Sequence, residues 1–116
     1  MKRKNAGERM PAKGDRAEKD PFKTIQTANR LLDEGNTNMA MVYFWSAGQL
    51  YEKAKEFKLA AQAYEKAGYC YELEDKWDKA AEDYLLASKM YRLAGLSAEA
   101  AKMRNMANQN MEKARD

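Results

Sequence analysis

AAQAYEKAGYCY, residues 60–71, and AAEDYLLASKMY, residues 80–91, are one pattern written twice at a spacing of 20 residues. An earlier copy, AMVYFWSAGQLY, occupies 40–51, and a worn one, AAKMRNMANQNM, occupies 100–111. Counting the first alanine as zero, the recurring positions are 0, 4, 7, 8 and 11. At about 100° per residue these fall in a stripe about 100° wide on one helix face, so each copy reads as an amphipathic helix with that stripe buried. Position 4 is Phe44, Tyr64 and Tyr84 before Arg104 breaks the series, and positions 7, 8 and 11 are Ala47, Gly48 and Tyr51, then Ala67, Gly68 and Tyr71, then Ala87, Ser88 and Tyr91. Small residues let a neighbouring helix approach, and the aromatic rings fill the space beside it. Cys70 therefore belongs to a packing column shared with Leu50, Met90 and Asn110.

Between the copies the chain must turn, and Gly35, KEFK, EDK and GLS lie near the row boundaries, fitting short loops between antiparallel helices. Upstream, Asp20 before Pro21 is an N-cap followed by a first helical residue, and Phe22, Ile25, Ala28, Leu31 and Leu32 follow with helical spacing. Gly35 is placed to end that helix in a left-handed conformation. The expectation is all-α: antiparallel helical hairpins with helices near 21–34, 38–54, 57–74, 76–94 and 97–114, forming one repeat domain over 21–116. Each helix has one apolar face and buries it on its neighbours, as in solenoids. The polar Arg104 and Asn108 suit the last helix to a capping role.

Composition narrows the chemistry. The chain has 116 residues, one cysteine and no histidine, so the usual general base near neutrality and the usual transition-metal ligand are both missing. Residues 1–20 are almost without large apolar side chains and read as a disordered basic tail. The formal charge is +3, and residues 1–21 account for all of it with seven basic against four acidic side chains. The remainder is neutral with interspersed signs, unlike a face built to match phosphate. The start MKRK has no apolar stretch after it, one cysteine closes no disulfide within the chain, and no run approaches the ~18 apolar residues of a membrane span. A cytoplasmic protein is expected.

The run WDKAAEDY resembles the tetratricopeptide signature, with Trp77, Ala80, Ala81 and Tyr84 at the places of its W, L, G and Y. The chain repeats at 20 residues per helix, so 40 per helix pair rather than 34, and in this it is more similar to the soluble NSF-attachment protein branch of tetratricopeptide-like proteins. The resemblance covers roughly 28–107. It implies a right-handed superhelix of paired helices acting as an adaptor for other proteins, with no catalysis and no cofactor. The membrane, fusion-complex and ATPase contacts of attachment proteins find no counterpart here, nor does the basic and asparagine set of carboxylate-binding clamps.

Several residues invite a second reading. Cys70 as a nucleophile lacks the base or cation that would form its thiolate, so packing is expected. The acidic run ELEDKWDKAAED has neither calcium-loop nor Glu-x-x-His spacing; its Glu72, Glu74, Asp75, Asp78, Glu82 and Asp83 read as a solvated face paired locally with Lys76 and Lys79. Helix 38–54 is apolar nearly all round and is expected at the centre of the stack, with Trp45 touching Leu85. Tyr43, Trp45, Tyr69 and Leu85 are the candidates for contact with a protein partner. Met103, Met106 and Met111 favour weak self-association through the last helix if exposed, and a monomer if buried. The basic tail raises a rival function, association with nucleic acid or an anionic membrane.

Overall fold

The computed structural model describes residues 20–116, which form five α-helices: α1 (Pro21–Asp33), α2 (Thr37–Lys53), α3 (Phe57–Leu73), α4 (Trp77–Leu93) and α5 (Ser97–Arg115). No strand occurs among the described residues. The boundaries lie within a residue of those expected. Residues 1–19, where the tail and its rival function were expected, lie outside the described residues; Asp20 is already the N-cap, its Oδ1 accepting from the N–H groups of Phe22 at 3.1 Å and Lys23 at 3.3 Å.

Four connections of identical design join the helices. Residues 35, 55, 75 and 95 have φ of 83°, 61°, 59° and 80°. The N–H that follows each of them donates back five residues: Asn36 to Leu31 and Leu96 to Tyr91 at 2.8 Å, Glu56 to Tyr51 and Lys76 to Tyr71 at 2.9 Å. This is the Schellman ending, which satisfies the last carbonyls of a helix. The donating residue is also the N-cap of the next helix, its carbonyl accepting from Ala40, Ala60, Ala80 or Ala100. A helix of 17 residues, as α2, α3 and α4 each are, plus a three-residue connection without slack gives the 20-residue step.

Each helix packs chiefly on the one before it and the one after it. The seam is made as its spacing requires: Ala40, Ala47, Ala60, Ala67, Ala80, Ala87, Ala100 and Ala107 are all buried. Gly48 lies under the ring of Tyr64, where a Cβ would stand 2.7 Å from Cε1, and Gly68 lies under Tyr84, where it would stand 3.1 Å from Cε1. At Ser88, facing a row without the aromatic, the hydroxyl donates to the carbonyl of Ala100 at 2.8 Å. Cys70 and Met90 are completely buried, while Tyr51 and Tyr71 are half-buried at the edges of the core. The molecule measures 53 × 32 × 20 Å, the shape of helices added in one direction rather than around a centre.

Two expectations about burial are corrected. In α1 the buried face is Thr24, Ala28 and Leu31, and Phe22 is 63% exposed. Thr24 holds position 4 of the repeat, and its hydroxyl donates to the carbonyl of Asp20 at 2.9 Å, so a small polar residue closes this end of the seam. In α2 only Ala40, Phe44, Ala47 and Gly48 are buried, and Met39, Val42 and Trp45 remain exposed. Contacts between helices are concentrated on successive ones, which leaves this second apolar face of α2 uncovered.

Candidate functional site

Between α1 and α3 lies an open groove of about 480 Å³. Phe22 and Ile25 rise from α1 on one wall and Leu59 and Ala63 from α3 on the other, over Phe44 and Tyr51 of α2. Phe22 is 63% and Leu59 40% exposed, large apolar groups that the fold leaves in water at the rim. Asn29, Gln62 and Lys66 supply polar groups along it. At one end Tyr91 of α4 donates its hydroxyl to Glu65 Oε1 at 2.8 Å. Burial and this carboxylate push the Tyr91 phenol upward, so it stays a neutral donor. An opening of this size and lining suits apolar side chains oriented by a few polar contacts.

Two further tyrosine–carboxylate ties hold the helices that shape the groove. Tyr64 donates to Glu52 Oε1 at 2.8 Å and Tyr84 to Glu72 Oε1 at 2.9 Å. Both phenols are raised, first by burial and then by the accepting glutamate. Glu72 also takes a bond at its other oxygen from Asn110 Nδ2 at 2.8 Å, joining α3, α4 and α5 at one carboxylate. Over the start of α4, the Lys113 ammonium of α5 lies 4.6 Å from the centre of the Trp77 ring, a cation–π contact.

The acidic run is not uniformly solvated, which corrects the sequence reading. Glu72 is half-buried in the tie just described, and Asp83 is 6% exposed with no hydrogen-bond partner for Oδ2. Desolvation, followed by the neighbouring Glu82 charge, pushes the Asp83 carboxyl up to about 7, with Lys79 opposing. Asp78 and Lys79 at the start of α4 are exposed, as the sequence reading has them, whereas Asp83 stands about one turn further along, beside the buried Tyr84. Among the described residues no group of three or more His, Cys, Asp and Glu is placed to hold a metal ion. Burial pushes the Cys70 thiol up to about 11, so the thiol is protonated and enclosed at neutral pH.

The partner-contact candidates are scattered. Tyr43 packs half-buried against the core that α1, α2 and α3 share, and Tyr69 is 45% exposed on α3. Trp45 and Leu85, expected to cover one another, are 39% and 42% exposed; neither is hidden, because α2 and α4 are second neighbours. None of the four lines the α1–α3 groove. The methionines of the last helix are split: Met103 fills the core, Met106 packs against it, and Met111 is 38% exposed.

The signal for the tyrosine ties lies between rows. The residue three before the left-handed position is Leu32 opposite Phe44, but Glu52 opposite Tyr64 and Glu72 opposite Tyr84. An apolar pair is exchanged for a donor–acceptor pair. Among the described residues no helix is long and apolar enough to cross a membrane. Comparison with protein-family models, curated proteins and solved structures gives no match for this chain.

Proposed function

We propose that this domain is a tetratricopeptide-like adaptor, cytoplasmic and non-catalytic, that holds an apolar segment of another protein between α1 and α3. The observation that carries the reading is the groove itself: about 480 Å³, apolar on both walls and open, with Phe22 left 63% exposed at its rim. Exposed aromatic and aliphatic groups grouped around a concavity favour burial against a partner. The walls are helices pinned by Schellman endings and tyrosine ties, so little ordering is required of the domain on binding. The resemblance to attachment proteins supports the same reading through fold alone.

The test is selection of displayed random peptides on the wild-type domain, followed by affinity measurement on Phe22→Glu and Leu59→Glu. Both changes replace exposed residues and leave the seam intact. The expected result is enrichment of peptides rich in Leu, Ile, Phe or Trp whose affinity falls about tenfold or more on either variant, the loss of an anchor worth roughly 1.4 kcal/mol. Enriched peptides that bind both variants as tightly as wild type refute the groove.

A further inference from the structure

The α1–α3 groove breaks a pairing that the stack makes elsewhere. Tyr91 on α4 gives its hydroxyl to Glu65 on α3 at 2.8 Å. Two helix steps earlier the same positions hold Tyr51 on α2 and Ile25 on α1, an apolar residue in place of the acceptor. Both line the groove, and among the described residues the Tyr51 side chain has no hydrogen-bond partner. The half-buried Tyr51 therefore brings an unengaged hydroxyl to the floor on which a bound segment would lie.

The groove differs in charge between its two ends. The Glu56 N–H donates to the Tyr51 carbonyl at 2.9 Å, which places Glu56 at the Tyr51 end, where its exposed side chain caps nothing. Asp20 stands two residues before Phe22 at the start of α1. Burial, then the charges of Asp20 and Glu56, push the Tyr51 phenol upward, so it is neutral and lies in a negative field. Lys23 and Lys58 stand beside the walls without lining the groove. Toward the other end, Lys66 lines the groove, is exposed, and makes no ion pair among the described residues. Arg30, next to the lining Asn29, is already paired with Glu34 at 3.2 Å, and Glu65 is engaged by Tyr91. From Glu56 to Lys66 is ten residues of α3, about 15 Å at the helical rise.

We propose that the segment held between α1 and α3 is apolar in its middle, with a lysine or arginine at the end over Tyr51 and an aspartate or glutamate at the end over Lys66. This charge order rests on the adaptor reading and fixes the direction in which the segment lies. The cation is received by the carboxylates of Glu56 and Asp20 and by the Tyr51 oxygen, which accepts as well as donates. The anion pairs with the Lys66 ammonium. A segment laid in the opposite direction brings like charges together at both ends, so the groove rejects it.

The test takes peptides enriched from a displayed random library on the wild-type domain and weakened by Phe22→Ser, a neutral change that leaves the charges in place. Their affinities are then measured on Lys66→Glu and Glu56→Lys, both exposed positions outside the seam. The expected peptides share the charge order and lose about threefold or more on each variant at low salt. Lys66→Glu is rescued when the peptide's acid is changed to lysine, and Glu56→Lys when its base is changed to glutamate. Reversal at the wrong end of the peptide gives no rescue, which separates a facing pair from an effect of net charge. Peptides that depend on Phe22 but have no charge order, or that keep their affinity on both charge variants, overturn the proposal and leave the groove standing. If no enriched peptide depends on Phe22, the groove falls and the charge order with it.

Discussion

At positions 48 and 68 glycine makes room for a tyrosine ring of the following helix, and the two sites differ in how much room they leave. Both rings are anchored through their hydroxyls, to Glu52 and Glu72, and a Cβ would stand 2.7 Å from Tyr64 on residue 48 but 3.1 Å from Tyr84 on residue 68. Overpacking costs about 1–3 kcal/mol, and replacing a helical glycine by alanine returns about 1 kcal/mol. Gly48→Ala is therefore expected to lose about 1–2 kcal/mol in urea unfolding, and Gly68→Ala to remain within about 1 kcal/mol of wild type. Asp83 acts through pH. Its folded pKa of about 7 exceeds the ordinary 3.8, so the folded state binds the extra proton and this group lowers stability as pH rises from about 4 to about 7. Asp83→Ala removes the penalty: its advantage over wild type is small near pH 4 and grows to the order of 2–4 kcal/mol at about pH 8. Unfolding midpoints of the two proteins across that range measure it, and a constant difference contradicts a buried, unpartnered carboxyl.

At the scale of the element, the connections and the ties between helices make the step regular. Two of the left-handed positions are glycine, but Lys55 and Asp75 adopt φ of 61° and 59°, a conformation that costs an L residue about 1–2 kcal/mol and aspartate somewhat less. Lys55→Gly is expected to stabilise by about 1 kcal/mol after the added flexibility of the unfolded chain is offset, and Asp75→Gly by less; a loss on both contradicts the assigned endings. The Glu52–Tyr64 pair is tested by exchange. Glu52→Leu or Tyr64→Phe alone leaves one polar partner short and costs about 1 kcal/mol, while the double change installs the Leu32–Phe44 pairing of the preceding row and returns to within about 0.5 kcal/mol of wild type. Positions 0, 4, 7, 8 and 11 were legible because they repeat within a row. Glu52 and Glu72 were hidden because a glutamate in the last turn of a helix has the pattern of a surface residue, and only its partner in the next row explains it. Asp83 was hidden for another reason: its column runs Tyr43, Ala63, Asp83, Met103, which has no common character to read.

Across the whole molecule, stacking in one direction leaves α1 and α3 facing one another over an open groove, while α3 and α5 are joined by Glu72 and Asn110. The periodicity locates the seam, whereas the groove lies between α1 and α3, which are not successive, and no column of residues displays it; Phe22, whose spacing places it with the apolar positions of α1, stands at the rim. The ends of the stack differ from its middle. In α5 the seam retains Ala100, Met103 and Ala107, with Arg104 and Asn108 exposed, so this helix is covered on one side only. It is fastened by Asn110 to Glu72 and by Lys113 over Trp77. The reading that joins fold to function is that this one-helix step creates an apolar groove between α1 and α3 for a partner segment. Its most direct test is an amide NMR titration of the full chain with an apolar peptide selected on it. The account predicts perturbations concentrated on Phe22, Ile25, Asn29, Leu59, Gln62 and Lys66 and abolished by Phe22→Glu; perturbations confined to residues 2–19 or to α5, with those six undisturbed, would contradict it.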